Sequence, residues 1–338
     1  MKKYKVLSLF SGAGGLDYGL EKTGRIDIVR HVERDKTACA TLGYNLKKAP
    51  RIMCADITKL NFGDMFSESS RPDVLVGGPP CQSFSSAGKR TGIQDQRGKM
   101  IWEFMRAIVE LLPTVFVMEN VPGLAWSGNP KGCVLDDWLA CVPVGYSVEK
   151  FIVNSADYGA PQARKRLVVV GVLSDNPPVF TQPTHGRKKP HRTLRNAIGK
   201  MPFSGLCAKF NEATAQTMRH VPEGGNWKDL PVATQKKVMG NSYNGSGGRV
   251  GYYRRLSFDK PSPSLLCSPT QRYTLLCHPT ETRPLSVNEY ARIQGFPASW
   301  RFYGTTAQQY KQIGNAVPVA LGEAIGRTVV NILDRSVN

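Results

Sequence analysis

The chain has 338 residues, and 41% of them are apolar, a proportion that supports a folded core and excludes a largely disordered protein. Its apolar runs, such as residues 167–170, are far shorter than the roughly 20 residues of a transmembrane helix, so we expect a cytoplasmic protein. The formal net charge of +19 favours a polyanionic partner.

Seven short segments in the first 172 residues have the composition of strands. Several are rich in Val, Leu and Ile without alternation, as strands buried on both faces should be. Helix-like stretches separate them, and one of these, residues 98–112, ends at Pro113. This alternation predicts an α/β fold with a doubly wound, Rossmann-like parallel sheet. The predicted strands are Tyr4–Phe10, Ile26–Glu33, Arg51–Ala55, Asp73–Gly77, Val115–Glu119, Tyr146–Asn154 and Arg166–Val172.

A glycine-rich loop, residues 10–16 (FSGAGGL), follows the first predicted strand and opens a helix. Such a loop lets a ligand approach backbone N–H groups. The usual dinucleotide fingerprint requires a small residue at position 17, where this chain has Asp17, so an NAD site fits poorly. The alternative is a plain turn with no ligand.

Two carboxylates end the next two predicted strands. Glu33 lies 21 residues after Gly12, a spacing at which a carboxylate binds a ribose diol. Asp56 follows the third strand, where it would meet an adenine amino group. Together they indicate a ligand that contains adenosine but no pyrophosphate. The alternative is that both are solvated charges at strand ends.

The fourth predicted strand ends in two glycines and two prolines, and the next residue is Cys81. The prolines restrict the backbone and would hold this thiol at the carboxyl edge of the sheet, where doubly wound folds bind ligands. A thiolate is a nucleophile, so Cys81 is a catalytic candidate. The other seven cysteines are mostly expected to be buried thiols. No C-x-x-C pair occurs, so we expect no zinc site.

The amino-acid composition changes near residue 173, where prolines and basic residues become frequent. Residues 171–250 contain twelve Lys or Arg and four Asp or Glu. Their poor periodicity predicts a second, smaller, loop-rich domain. After Arg283, residues 284–295 resemble a helix, and residues 312–333 are predicted to form another helix, opened by Asn315.

In combination, these motifs resemble those of the DNA cytosine-5 methyltransferases that use S-adenosylmethionine. Each motif alone is weak, but their combination and order over almost the whole chain are specific. One departure is Ser264, where the family often has threonine. The matching segments are residues 10–16, Glu33, Asp56-Ile57, GGPPCQSFS at 77–85, Glu119-Asn120-Val121, QARKR at 162–166, RPLSVNEYARIQGFP at 283–297 and IGNAVP at 313–318.

The resemblance implies a covalent mechanism on cytosine. Cys81 adds to carbon 6, which makes carbon 5 nucleophilic enough to accept a methyl group. Glu119 ends an apolar strand, and an apolar setting would keep it protonated so that it can donate to ring nitrogen 3. By resemblance, Arg164 binds the cytosine carbonyl oxygen and Arg166 supports the site. The target base must leave the stacked duplex for this chemistry.

The other site residues also follow from the resemblance, and the basic segment 83–99 would close on DNA. The expected cofactor-binding residues are Phe10, Ser11, Gly12, Ala13, Gly14, Gly15, Leu16, Glu33, Asp56, Ile57, Gly78, Pro80 and Asn315. The expected DNA-binding residues are Gln82, Ser85, Lys89, Arg90, Arg97, Arg187, Lys188, Lys189, Lys236, Lys237 and Arg249.

The resemblance also divides the chain into two domains. Residues 1–175 and 300–338 would form the catalytic, S-adenosylmethionine-binding domain, and residues 176–299 the target-recognition domain and hinge. The expected partner is double-stranded DNA, bound by a monomer. The length is typical of a bacterial or phage modification enzyme, whose cognate restriction endonuclease would act separately.

Three other functions stay open from the sequence. A transfer-RNA cytosine-5 methyltransferase shares the fold, but it usually has a Cys-Phe-Thr triplet and lacks a long recognition domain. This chain has no such triplet. A non-catalytic DNA-binding relative would have lost the cysteine or the glycine loop, and both are present. An NAD oxidoreductase is disfavoured by the broken fingerprint.

Overall fold

The computed structural model describes residues 2–46, 51–80, 99–126, 128–129, 132–187, 189–203, 205–245 and 248–336. All seven predicted strands are present. The strands are β1 (Tyr4–Leu9), β2 (Ile26–Glu33), β3 (Ile52–Cys54), β4 (Val74–Gly77), β5 (Val115–Asn120), β6 (Gly128–Asn129), β7 (Gly132–Cys133), β8 (Tyr146–Asn154), β9 (Gln162–Ala163), β10 (Lys165–Leu173) and β11 (Ser262–Pro263). Seven of them form the central sheet, in the order β3-β2-β1-β4-β5-β10-β8.

The central sheet is mostly parallel. β1 pairs in parallel with β2 and β4, β2 with β3, and β4 with β5. β10 is antiparallel to both β5 and β8, so the expectation of a fully parallel sheet is wrong for this strand. Only residues 155–164 connect β8 to β10, and a parallel crossover needs about a dozen residues or more. Because β10 runs backwards, its first residues lie at the carboxyl edge of the parallel strands.

Helices cover both faces of the sheet. The helices in the described part of the chain are α1 (Gly15–Glu21), α2 (Lys36–Leu46), α3 (Met100–Leu111), α4 (Val134–Ala140), α5 (Leu194–Ile198), α6 (Glu212–Arg219), α7 (Val232–Met239), α8 (Val287–Gln294), α9 (Thr306–Asn315) and α10 (Val319–Ser336). One hydrophobic cluster joins the sheet to α1 and α10, and a second joins it to α3 and α4. This layering is that of a doubly wound fold.

The C-terminal segment forms two helices, contrary to the prediction of one helix over residues 312–333. The break falls at Pro318, which has no N–H and which disfavours helical geometry in the residue before it. The stretch Thr306–Arg335 is long and apolar enough to cross a membrane, but 72% of its most apolar window is buried inside the fold. It is therefore a core segment of this structure.

The helices α1 and α10 touch through glycines. A Cβ atom on Gly19 would lie 2.5 Å from the carbonyl oxygen of Val319, and one on Gly322 would lie 2.7 Å from that of Leu16. Both distances are shorter than any side chain allows, so the two backbones are in direct contact. As a result, α10 supports the helix that follows the glycine loop.

Residues 210–277 have a hydrophobic cluster of their own, which includes Met218 of α6, Met239 of α7 and the nearby Trp227. By contrast, α8 packs in a cluster that also contains Ala13 of the glycine loop and Ile313 of α9. Residues 287–294 therefore share a hydrophobic cluster with the glycine loop.

Candidate active site at the carboxyl edge of the sheet

The glycine loop connects β1 to α1, as the sequence predicts. Its backbone has positive φ angles at Phe10 (57°), Gly12 (54°) and Gly14 (83°). Glycine adopts this conformation at little cost, whereas Phe10 is strained, and strain of this kind clusters at ligand-binding sites. The N–H of Ser11 donates to the carbonyl oxygen of Val32 at 3.2 Å, which ties the loop to β2.

Glu33 lies beside this loop at the end of β2. Its Oε2 accepts a hydrogen bond of 2.9 Å from the N–H of Gly12. Its Oε1 accepts from the N–H groups of Arg34 at 2.8 Å and Asp35 at 2.7 Å. Glu33 is therefore not a freely solvated carboxylate, because three backbone N–H groups hold it in one orientation against the loop.

Asp56 follows β3 and caps a short turn, Ile57–Lys59. Its Oδ1 accepts from the N–H and the hydroxyl of Thr58, at 3.1 and 2.9 Å. The N–H of Thr58, and then its hydroxyl, lower the pKa of the Asp56 carboxyl. Arg34 lies 3.7 Å from the other oxygen. Asp56 is thus an ionised acceptor at the same edge of the sheet as Glu33.

The strands β4 and β5 end side by side. Asn120 donates from Nδ2 to the carbonyl oxygen of Pro79 at 3.2 Å, and its Oδ1 accepts from the next backbone N–H at 2.8 Å. A Cβ atom on Gly78 would lie 3.1 Å from Oε2 of Glu119. The backbone that leads to Cys81 therefore begins against the Glu119 carboxylate. Cys81 itself lies outside the described residues.

Glu119 and Arg166 form a buried ion pair at this edge. Oε1 of Glu119 lies 2.7 Å from Nε of Arg166, and their side chains are 11% and 12% exposed. Burial lowers the pKa of Arg166, and the Glu119 charge opposes that effect. The apolar setting expected for Glu119 is therefore wrong. The antiparallel direction of β10 creates the pair, since Val168 is opposite Glu119 and Arg166 is two residues earlier on the same face.

Arg164 has different partners. Its Nη1 donates to the carbonyl oxygen of Leu265 at 2.7 Å and its Nη2 to that of Gly314 at 2.9 Å. Burial, and then the charge of Arg166, lower the pKa of Arg164 to about 9. Arg164 is therefore buried, and it connects the start of β10 to the segments that contain Leu265 and Gly314. It is not a solvated charge at the edge of the strand. The expected base contact by Arg164 does not match this arrangement, whereas Arg166 faces Glu119.

Asn315, an expected cofactor residue, ends α9 and is exposed. Its Oδ1 accepts from Sγ of Cys267 at 3.1 Å. A Cβ atom on the neighbouring Gly314 would lie 2.3 Å from the carbonyl oxygen of Leu266. Similarly, a Cβ atom on Gly15 would lie 2.4 Å from that of Val317. Residues 314–317 are thus packed between the glycine loop and residues 265–267.

The predicted DNA-binding residues divide into three groups. Arg187, Lys189, Lys236 and Lys237 are exposed. Arg249 is half-buried and has a positive φ of 47°. The others, Gln82, Ser85, Lys89, Arg90, Arg97 and Lys188, lie outside the described residues.

Comparison with known proteins decides the family. Residues 4–331 match the model of the C-5 cytosine-specific DNA methylases. The chain belongs to this family. It is 40% identical to the Type II methyltransferase M.PspPI of Psychrobacter sp. (strain TA137), an alignment that covers 98% of this chain and 80% of that enzyme. The identity to M.Eco47II of Escherichia coli is also 40%, with the same coverage.

Solved methyltransferase structures have the same fold. A crystal structure described as a prophage-encoded DNA modification methyltransferase of E. coli superposes with a TM-score of 0.71 at 25% identity, covering 98% of this chain and all of that one. A Spodoptera frugiperda DNMT2 mutant superposes with a TM-score of 0.62 at 17% identity, covering 97% and 100%. The enzyme therefore transfers a methyl group from S-adenosylmethionine to carbon 5 of cytosine in DNA.

The residues of this DNA methylase fit S-adenosylmethionine. A Cβ atom on Gly12 would meet nothing nearer than 3.9 Å, so the loop is open to a ligand there. Glu33 suits a ribose diol, and the ionised Asp56 suits an amino group. Of the other expected cofactor residues, Ala13, Leu16 and Ile57 are buried, and Pro80 is exposed. Within the described ranges, no group of three or more His, Cys, Asp or Glu side chains is placed to hold a metal ion.

Sequence reasoning missed several polar residues of the site. Ser8, Asp17 and His31 are fully buried behind the glycine loop, and Asp17 is hydrogen-bonded to both Ser8 and His31. Of these three residues, only Asp17 could have been noticed in the sequence, because it occupies a position where the dinucleotide fingerprint requires a small residue. The role of Asn120 was also missed, although it lies inside a recognised motif.

Proposed function

We propose that the DNA methylase acts at one specific duplex sequence, on a cytosine that has swung out of the helix. The Glu119–Arg166 pair is the observation that supports this most directly. It places an acceptor and a donor 2.7 Å apart, an arrangement that suits adjacent atoms on the pairing edge of cytosine. That edge is free only when the base is unpaired.

Within this proposal, Arg166 donates to the cytosine carbonyl oxygen, and Glu119 meets ring nitrogen 3 and the exocyclic amine. Arg164 is a positioning residue that holds the start of β10 against Leu265 and Gly314. This assignment reverses the roles expected from the resemblance. Its support is that both terminal nitrogens of Arg164 already donate to backbone carbonyl groups.

Cys81 is the proposed nucleophile. Its thiolate forms a bond to carbon 6. Glu119 takes up a proton from solvent and passes it to nitrogen 3, which relieves the charge that this addition puts into the ring. When bound, S-adenosylmethionine supplies the methyl group for carbon 5. The proton on nitrogen 3 then returns to Glu119, and the proton on carbon 5 leaves to solvent. The sulfur–carbon bond breaks at the same time, which restores the aromatic ring and the thiolate. The fixed backbone of Pro79 and the adjacent Glu119 support this assignment.

The cofactor is assigned to residues 10–16, with Glu33 at the ribose and Asp56 and Ile57 at the adenine. Gly78, Pro80 and Asn315 would border the same site. The convergence of these residues at the carboxyl edges of β1 to β4 supports the assignment, because doubly wound folds bind ligands at this edge.

The inserted region, residues 176–299, is proposed to recognise the DNA sequence. Its hydrophobic cluster over residues 210–277 and its exposed Lys236 and Lys237 support this role, since basic side chains contact phosphates. We further propose a cytoplasmic monomer whose cognate restriction endonuclease is a separate protein. The Type II methyltransferase names of the relatives support the restriction context.

The direct test is transfer of a tritiated methyl group from S-adenosylmethionine to duplex DNA and, in parallel, to transfer RNA. We expect labelling of duplex DNA only. Bisulfite sequencing of DNA from expressing cells should then show 5-methylcytosine at one recurrent sequence. Labelling of transfer RNA alone, or methylation spread over unrelated sequences, would contradict the proposal.

A further inference from the structure

A chain of four buried polar side chains lies behind the glycine loop. Ser11 Oγ donates to Ser8 Oγ at 2.9 Å, and Ser8 Oγ donates to Oδ1 of Asp17 at 2.7 Å. Nδ1 of His31 donates to Oδ2 of Asp17 at 2.7 Å. Ser8, Asp17 and His31 are 0% exposed. Because a buried carboxylate costs free energy unless it is paired, both oxygens of Asp17 need these partners.

A β-bulge in β2 shapes this arrangement. Val6 of β1 pairs with Ile28 of β2, but the next residue of β1, Leu7, pairs with Arg30. Val29 is therefore an extra residue in β2. An extra residue in a strand exchanges the faces of all the residues that follow it, and bulges next to active sites re-aim side chains in this way.

The bulge brings His31 into register with Ser8, on the face that carries the glycine loop. It brings Glu33 to the same face, where Glu33 accepts from the N–H of Gly12. Besides the backbone hydrogen bond from Ser11 to Val32, two side chains of β2 consequently hold the loop. Glu33 does so directly, and His31 does so through Asp17 and the two serine hydroxyls.

We propose that Asp17 and His31 are positioning residues for S-adenosylmethionine. They fix Ser8 and, through it, Ser11, so that the loop keeps its binding conformation when no ligand is bound. Such preorganisation reduces the ordering cost of binding. Loss of the Asp17 charge should therefore weaken cofactor binding and leave DNA binding unchanged.

The test is Asp17→Asn, which keeps the shape of the side chain and removes its charge. Calorimetry with S-adenosylhomocysteine, which needs no turnover, should give a dissociation constant raised about tenfold, as expected for one lost hydrogen bond to a charged group. In cofactor-free protein, amide hydrogen exchange over residues 11–16 should accelerate. The KM for S-adenosylmethionine should rise, with kcat and DNA affinity within about twofold of wild type.

Glu289→Gln is the matched control, because Glu289 is another buried carboxylate, 1% exposed and held by Arg283. It should lower stability without changing cofactor affinity. If Asp17→Asn proves insoluble, Ser8→Ala breaks the same chain and leaves the charge paired with His31. Wild-type affinity and wild-type exchange in a folded variant would overturn the proposal. So would an equal loss of cofactor and DNA binding in step with stability, because a purely structural role predicts that result.

Discussion

The side-chain amide of Asn120 donates to the carbonyl oxygen of Pro79 at 3.2 Å, so the end of β5 holds the end of β4. Pro79 lies two residues before Cys81 in the chain. The same asparagine follows Glu119, which pairs with Arg166. One residue thus connects the proposed nucleophile segment to the proposed base-binding pair.

Asn120→Ala should lower kcat by about fivefold, because a lost hydrogen bond of about 1 kcal/mol loosens the backbone before Cys81. Steady-state methyl transfer on duplex DNA measures this effect. Asn154→Ala is the matched control, since Asn154 ends β8 and its side chain accepts from the N–H of Ala156 in its own turn. Equal losses in the two variants would show that Asn120 has no special role.

Duplex DNA with 5-fluorocytosine at the target should form a lasting covalent complex. Fluorine at carbon 5 cannot leave as a cation, so the Cys81 thiol cannot be released after methylation. The complex should appear as a gel band that survives boiling in detergent and should require the cofactor. It should be absent in Cys81→Ser, and peptide mapping should place the adduct on the Cys81 segment. An adduct on Cys39, Cys54 or another thiol would contradict the mechanism.

Lysine substitutions should separate the roles of Arg164 and Arg166. Arg166→Lys loses the planar contact with Glu119. This variant should therefore have the same affinity for a duplex that contains the target cytosine as for a duplex with an abasic site at that position. Arg164→Lys should keep that preference. It should lose about 2 kcal/mol of stability in urea titrations, because one of two buried carbonyl groups loses its donor. The opposite outcome would restore the roles expected from the resemblance.

The stability contributed by Glu289 should disappear in acid. Burial alone would raise the pKa of this carboxyl, but the hydrogen bonds from Arg283 and from the N–H of Ser286 hold it below its ordinary value of 4.5. Below about pH 5 the unfolded state therefore binds more protons than the folded state, and stability falls as the pH falls. The difference in unfolding free energy between wild type and Glu289→Gln should shrink from pH 7 to pH 4.

An exposed carboxylate provides the control for this measurement. Asp259 is 73% exposed and pairs with Arg195 at the surface, so Asp259→Asn should change stability little at either pH. A wild-type minus Glu289→Gln difference that stays constant with pH would contradict the argument.

Exchange of residues 185–283 for those of a family member that methylates a different site should transfer the site preference. The exchanged segment starts after Thr184 so that it leaves out Phe180 and Thr181, which pack on the sheet domain. Phe180 belongs to the hydrophobic cluster of α10, and the N–H of Thr181 donates to Oγ1 of Thr328 in α10 at 3.0 Å. Bisulfite sequencing reads the outcome. A soluble, active hybrid that keeps the parental site would contradict the proposed recognition role.

The strands could be predicted because runs of Val, Leu and Ile, as in β5 and β10, are direct signals of burial on two faces. The direction of β10 could not be read from composition. The connection over residues 155–164 indicated the antiparallel direction of β10, because it is too short for a parallel crossover.

The site residues were predictable where a motif stands at a strand end, as for Glu33 and Glu119. The partners of Arg164 were not, because Leu265 and Gly314 are 101 and 150 positions away in the chain. The bulge at Val29 was also invisible, because it depends on the register between two strands and not on the sequence of either one.

The contact between Gly19 and Gly322 has a consequence for biosynthesis. During translation, α1 leaves the ribosome long before α10 exists, so the nascent chain carries its cofactor loop without the helix that supports it. Non-local contacts of this kind form late in folding. The enzyme should therefore gain cofactor affinity only after residues 319–336 have been synthesised and have joined the fold, which delays methylation until then.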